Sequence, residues 1–364
     1  MRPTITEIVD KLNKINIADC SSIDQLYRTR EFTLKFLKHI TKDFAKQNIV
    51  GHGGYGVIYK GVLDNGEEVA VEKLRQNLLI DDEQFNNELN NLMRVQHKNI
   101  VRLVGYCNHT EQTFVEYNGK LVAASVEQKA LCLEYLQGGS LDRHLSDGAC
   151  RLDWGTCYKI IKGICEGLYY LHNGSDHPII YHLDLKPSNI LLDKDMTPKI
   201  GDFGLSKLFD SVQTYWTQSE YVKGTLGYMP PEYINGQSIS PKFDVFSLGV
   251  MIIQMMAGKQ GYFDCADTPP KKIIKLVCGN WQKRLQATKT SCHASQEVRT
   301  CIEMALRCVK ADRAQRPTIT AIVSELSNIG TAESSPVGQV YILTARAVHD
   351  IFYSYSIICL VSVN

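Results

Sequence analysis

Residues 182 to 204 hold His182-Leu183-Asp184-Leu185-Lys186-Pro187-Ser188-Asn189, then an apolar strand-like run, then Asp202-Phe203-Gly204. Two aspartates, a lysine and a carboxamide are thereby confined to one loop and a nearby triplet. Any one of these aspartates alone reads as a solvated turn carboxylate, because Asp favours turns. The ordered set is far more specific, and chance explains it poorly. With 364 residues and 44% apolar content, the chain can bury a sizeable core. Its 40 basic and 39 acidic residues nearly cancel, which leaves no electrostatic case for a nucleic-acid partner.

The set resembles the catalytic segment of protein kinases, and its roles follow from that resemblance. Asp184 would accept the proton of the attacking hydroxyl and Lys186 would steady the transferring phosphate. Asn189 and Asp202 would hold Mg2+, with ATP as phosphoryl donor. The implied fold is α+β and two-lobed, with a small β-rich N-lobe carrying one key helix and a larger, mainly helical C-lobe. We expect an N-terminal extension at 1–31, a kinase domain at 32–330 (N-lobe 45–134, hinge 135–140, C-lobe 141–330) and a tail at 331–364.

Gly51-His52-Gly53-Gly54-Tyr55-Gly56-Val57 matches GxGxxG, a pattern shared with dinucleotide-binding folds. There the glycines open a helix; here they run into the strand-like Val57-Ile58-Tyr59-Lys60-Gly61 and the hairpin turn Asp64-Asn65-Gly66. A glycine-rich lid over ATP phosphates fits this order, and a nucleotide-dependent oxidoreductase does not. In the following strand, Val69-Ala70-Val71-Glu72-Lys73, the phosphate-gripping lysine of the family falls two residues after Ala70, and that position is Glu72. Side chains alternate faces along a strand, so Lys73 should point away unless a bulge shifts the register.

Glu88, on a helix starting near Phe85, occupies the place of the carboxylate that normally pairs with that lysine. Residues 108–130 are polar and read as a loop with edge strands. Leu131 to Leu136 reads as the strand entering the hinge at Glu134-Tyr135, with Leu133 gating the rear pocket. The resemblance also counts Val57, Ala70, Glu134 and Leu191 among the ATP-binding positions.

In the larger lobe, Trp154 to Leu171 has the spacing of a core helix. Residues 210–223 resemble an activation loop, with Thr214, Thr217 and Ser219 as its hydroxyls and Thr225 just beyond. Glu232 should pair with Arg316, and Asp244 should hydrogen-bond the catalytic-loop backbone. The loop lysine Lys186 together with Thr225 points to the serine/threonine class. His97 to Cys107, Leu152-Asp153-Trp154 and Gly224 to Met229 are similar to plant receptor-like kinases of the Pelle/interleukin-receptor-associated group. Leu183 stands where most relatives carry arginine, so the resemblance points to the subgroup without it, many of whose members act in defence signalling. Neutral leucine makes no charge-assisted bond to a phosphorylated loop.

Residues 2–12 repeat residues 316–326 at eight of eleven positions, so 2–15 reads as the end of an upstream kinase copy, followed by a linker. The twelve cysteines show no CxxC pair, which favours reduced thiols in an intracellular compartment. No signal peptide is visible in these residues, and no run reaches the roughly 18 to 20 apolar residues a spanning helix needs. The apolar tail Ile351 to Asn364 is too short to span and has no assigned role. The expectation is a cytoplasmic kinase, or one at the inner face of the plasma membrane, acting on protein substrates and signalling partners. The rival is a pseudokinase scaffold, on the strength of Glu72.

Overall fold

The structure, a computed structural model, describes residues 30–53, 56–74, 79–117, 119–145, 152–174, 177–209, 216–217, 222–236, 238–264, 268–287 and 292–329. The repeat and linker at the N-terminus, the tail at 331–364, Thr214 and Ser219 lie outside these residues. The chain forms two compact units. One comprises the chain up to His97 with Val101–Tyr135 and Gly174–Ile179; the other comprises Lys98–Ile100, Leu136–Asn173 and the chain from Ile180. Strands in the first unit and helices in the second give the expected α+β composition.

The first unit is a six-stranded sheet in the order β1-β5-β6-β4-β3-β2. Its strands are β1 (Arg30–Glu31), β2 (Ile49–His52), β3 (Gly56–Val62), β4 (Glu68–Leu74), β5 (Leu103–Tyr117) and β6 (Lys120–Glu134). The β3–β4 turn closes as its Asp-Asn-Gly sequence dictates: Gly66 takes φ 82°, where a side chain would be strained, and Asn65 Oδ1 accepts the Glu67 N–H. A short helix, α1 (Leu34–Ile40), starts at Thr33, whose hydroxyl caps the Phe36 N–H at 3.2 Å. Leu34, Leu37 and Ile40 pack with Val69, Val71, Ala130 and Cys132 as the core of one sheet face. A second helix, α2 (Leu79–Leu92), begins earlier than the periodicity suggests and buries Phe85, Glu88, Leu89 and Leu92 on one side.

Residues 108–117 and 120–130 revise the expectation of a loop with edge strands. They lie in one antiparallel ladder that pairs Leu103 with Leu133, shifts register between Leu103 and Gly105, and from there runs out to Tyr117 opposite Lys120. Polar composition misled here because both faces of the outer hairpin meet solvent, so no hydrophobic alternation marks the strands. Phe114 and Leu121 are exposed near its tip.

The second unit holds small sheets and most of the helices. β7 (Gly139–Ser140) pairs β9 (Ile190–Leu192), which pairs β10 (Pro198–Ile200); β8 (Ile179–Tyr181) pairs β11 (Lys207–Phe209), and β12 (Trp216–Thr217) pairs β13 (Ser238–Ile239). The core helix is α3 (Trp154–Asn173), with Ile160, Ile161, Ile164, Leu168 and Leu171 fully buried, as its spacing requires. It is followed by α4 (Pro231–Gly236), α5 (Lys242–Asp264), α6 (Pro270–Ala287), α7 (Cys292–Cys308) and α8 (Ile319–Asn328). A kink at Gly258, φ 80°, divides α5. α5 lies close against α7 at Gly249, where a Cβ would come within 2.6 Å of Cys308 Cβ and 2.9 Å of the Ala305 carbonyl.

Candidate active site

In the second unit, the loop between β8 and β9 is held by a buried carboxylate from α5. Asp244 accepts the backbone N–H groups of His182 and Leu183, one on each oxygen at 2.8 Å, and its Oδ2 also lies 2.8 Å from His172 Nε2 on α3. Burial pushes the Asp244 carboxyl up, but His172, His182 and the Leu183 N–H more than reverse it, so its pKa falls below the ordinary value. Leu183 takes φ 63°, a conformation that costs a residue with a Cβ about 1–2 kcal/mol. The two Asp244 bonds compensate, and the Leu183 side chain is buried.

The loop side chains converge on Asp184, itself 7% exposed. Lys186 Nζ donates to Asp184 Oδ2 at 2.6 Å and to Thr225 Oγ1 at 2.9 Å, while the Thr225 hydroxyl donates to Asp184 Oδ1 at 2.7 Å. Asn189 Nδ2 donates to the Asp184 carbonyl at 2.9 Å. Thr225 thus joins Asp184 to Lys186, although it lies 41 residues from Asp184. Leu191 is half-buried on β9, and the Gly201 N–H donates to the Asn189 carbonyl.

Asp202 follows at φ 63°. Burial raises its carboxyl pKa, and Asp184 adds to the effect while His182 and Lys186 oppose it. A buried carboxyl beside a second one suits a cation, because the ion would offset the cost of desolvating both charges. Asn189 and Asp202 carry oxygen donors of the kind a hard divalent ion such as Mg2+ takes. His182, not singled out in the sequence, bonds the Gly201 carbonyl through Nε2 at 2.9 Å and meets the Phe203 ring edge-on.

Farther along, Glu232 on α4 and Arg316 form a bidentate pair at 2.7 Å on both arms. The Thr217 backbone lies in β12, opposite Ser238.

In the first unit, the β3–β4 ladder is unbroken: Ile58 faces Glu72 and Val57 faces Lys73. On the other side of β4, Ala70 faces Leu133 and Glu72 faces Leu131. With no bulge, Lys73 lies on the face occupied by Val69 and Val71, and its Nζ stands 4.6 Å from the centre of the Phe44 ring. Burial lowers the Lys73 pKa. Glu72 lies on the opposite face with Ala70, packed against Gly53 and Gly56. Gly51 sits opposite Ile58, and Val57 is half-buried. Glu88 is buried, and Glu134 Oε1 accepts the Arg102 N–H at 2.8 Å. Each unit thus assembles its own group of sequence-identified residues.

A protein kinase domain model matches residues 44–326. The chain is 38% identical over 296 residues to cysteine-rich receptor-like protein kinase 44 of Arabidopsis thaliana, covering 79% of this chain and 74% of that protein. Over the same length it is 38% identical to kinase 41 of that series, covering 42% of it, and it is 36% identical over 343 residues to kinase 29, covering 48%. It therefore spans less than half the length of these last two relatives. The matched domain, the ordered catalytic loop and the relatives agree: this chain belongs to the protein kinase family, in its plant receptor-like branch.

Proposed function

We propose that the chain is a serine/threonine protein kinase that transfers the ATP γ-phosphate to protein hydroxyls in receptor-type or defence signalling. The observation that carries this reading is the closed network of Asp184, Lys186 and Thr225. It aims a carboxylate and holds a lysine cation beside it. Asp184 takes the proton of the incoming hydroxyl, Lys186 steadies the moving phosphate, and Thr225 fixes the Asp184 rotamer. Mg2+, when held by Asn189 and Asp202, would neutralise charge on the phosphate oxygens. The names of the relatives, receptor-like protein kinases, support a receptor-type role, and a place at the inner face of the plasma membrane is part of the same proposal. The repeat at residues 2–12 supports an upstream kinase copy, which the transcript preceding this segment would encode.

A second reading, a pseudokinase scaffold, is favoured by Glu72, which stands on the strand face where the family carries its lysine. Autophosphorylation and transfer to a generic protein substrate, measured with and without Mg2+ in wild type, Asp184→Asn and Glu72→Lys, separate the two. Mg2+-dependent transfer lost in Asp184→Asn supports the kinase. Transfer only in Glu72→Lys supports the scaffold. No transfer in any of the three refutes the catalytic reading.

A further inference from the structure

The outer side of α6 carries positive charge that the fold does not use. Ile273, Val277, Trp281 and Leu285 recur every four residues and are buried, and the Trp281 indole N–H donates to the Met256 carbonyl at 3.0 Å, which fixes the inner side of the helix. Lys271, Lys272, Lys275 and Lys283 are all exposed. No Asp or Glu occurs in α6, and none of the four lysines joins an ion pair among the described residues. Arg284 is turned inward: its guanidinium lies 3.9 Å from the centre of the Trp281 ring and donates to the Leu152 carbonyl.

Helix stability does not account for these lysines. Lys271 and Lys272 sit in the first turn, at the positive end of the helix dipole, where a cation is unfavourable. Lys275 follows them by four and three residues, so like charges are neighbours on the surface, which also opposes the helix. Leu276, 61% exposed, lies one turn beyond Lys272 and two turns before Lys283 on the same stripe. One exposed leucine by itself needs no explanation. Set among lysines without a carboxylate, it gives the pattern of a helix lying on an anionic interface, where lysine stems reach the headgroups and the apolar side chain enters below them.

We propose that the outer face of α6 docks on an anionic lipid bilayer, with the four lysines over the headgroups and Leu276 entering the headgroup–acyl boundary. Every cation on this face is a lysine, a point charge that responds to a diffuse field; shaped recognition of a carboxylate or phosphate on a protein partner favours the planar fork of arginine. A layer of lipid headgroups supplies such a field. The charge of the whole chain nearly cancels, so the attraction is local to this face. No residue of the candidate active site takes part, and the docking face stands independently of phosphoryl transfer.

The test is co-sedimentation of the full chain with vesicles of phosphatidylcholine alone and of phosphatidylcholine with about one-third phosphatidylserine. Soluble polyglutamate, added as a competitor, stands for an acidic protein partner. Wild type should bind the anionic vesicles at least about tenfold more strongly than the neutral ones, and salt at about 1 M should abolish the difference. Replacing Lys272, Lys275 and Lys283 together by glutamine should weaken binding to the anionic vesicles about a hundredfold, at about fivefold per lysine. The same exchange at the exposed Lys35, Lys46 and Lys194 should weaken it less than about threefold. Leu276→Gln should weaken it about threefold or more while the preference for anionic vesicles persists. Equal binding of wild type to both vesicle types overturns the proposal, as does an α6 triple variant that loses no more than the control triple. Displacement by polyglutamate together with a silent Leu276→Gln overturns it too, and assigns the face to an acidic protein. Should the α6 triple variant fail to fold, the salt dependence and Leu276→Gln decide.

Discussion

Removing the Glu232 carboxylate should be among the most destabilising single changes available in the second unit. Arg316 is 2% exposed, and all five of its N–H groups are used. Nε donates to the Lys310 carbonyl, Nη1 to Glu232 Oε1 and the Lys242 carbonyl, and Nη2 to Glu232 Oε2 and the Ala311 carbonyl. Glu232→Ala removes two of these acceptors and the only carboxylate among them, leaving a buried cation. Breaking a buried pair from one side costs about 3–5 kcal/mol. The Glu232 side chain is 17% exposed, so water replaces part of what is lost and we expect about 3 kcal/mol.

Urea denaturation of the two single variants and of Glu232→Ala with Arg316→Met completes a double-mutant cycle. The double variant should be more stable than the sum of the singles, because it leaves no orphaned charge. A Glu232→Ala loss below about 1 kcal/mol, in the range of an exposed pair, with an unchanged m-value, would show that the pair contributes no more than a surface ion pair and would refute the argument.

Lys73→Ala should leave phosphoryl transfer within about twofold of wild type and cost about 0.5–1 kcal/mol through its lost contact with Phe44; abolished turnover in a steady-state assay would show that Lys73 serves the phosphates. Replacing Thr214, Thr217 and Ser219 together by alanine should retain most basal transfer, since Leu183 offers no charge for a phosphorylated loop; a loss of about a hundredfold or more with folding intact would contradict this. Because the Asp244 pKa is depressed in the folded state, its contribution to stability is present above the ordinary carboxylate range and is lost as pH falls through the depressed value. Urea midpoints measured from neutral to acidic pH should show that loss, and Asp244→Asn should be less stable at neutral pH with a flatter acid limb; an unchanged midpoint at neutral pH would count against the role given to Asp244.

Several features were legible in the sequence because local chemistry specifies them. The spacing in Trp154 to Leu171 is that of a helix with one buried face, and that face is buried. Strand alternation alone predicted that Glu72 and Lys73 take opposite faces, because a period of two leaves no freedom once the ladder is unbroken. The catalytic loop and its triplet could be read as a group because their residues lie within one short stretch.

What remained illegible depends on partners far apart in the chain. His172 meets Asp244 across 72 residues, and no spacing rule links a histidine near the end of one helix to an aspartate at the start of another. The outer half of the β5–β6 hairpin lacks a buried face, so its strands carry no alternation; only continuous backbone pairing with the inner sheet reveals them. Helix α1 is short enough that its propensity says little. Its place is decided by the apolar face of the sheet, where burying Leu37 against Val69 and Val71 outweighs what a seven-residue segment could achieve alone. The sequence by itself pointed to the residues proposed for chemistry and determined which faces of β4 Glu72 and Lys73 would take. Tertiary structure alone decided which distant groups hold them there, because the fold must satisfy buried charges and polar groups wherever it brings them together.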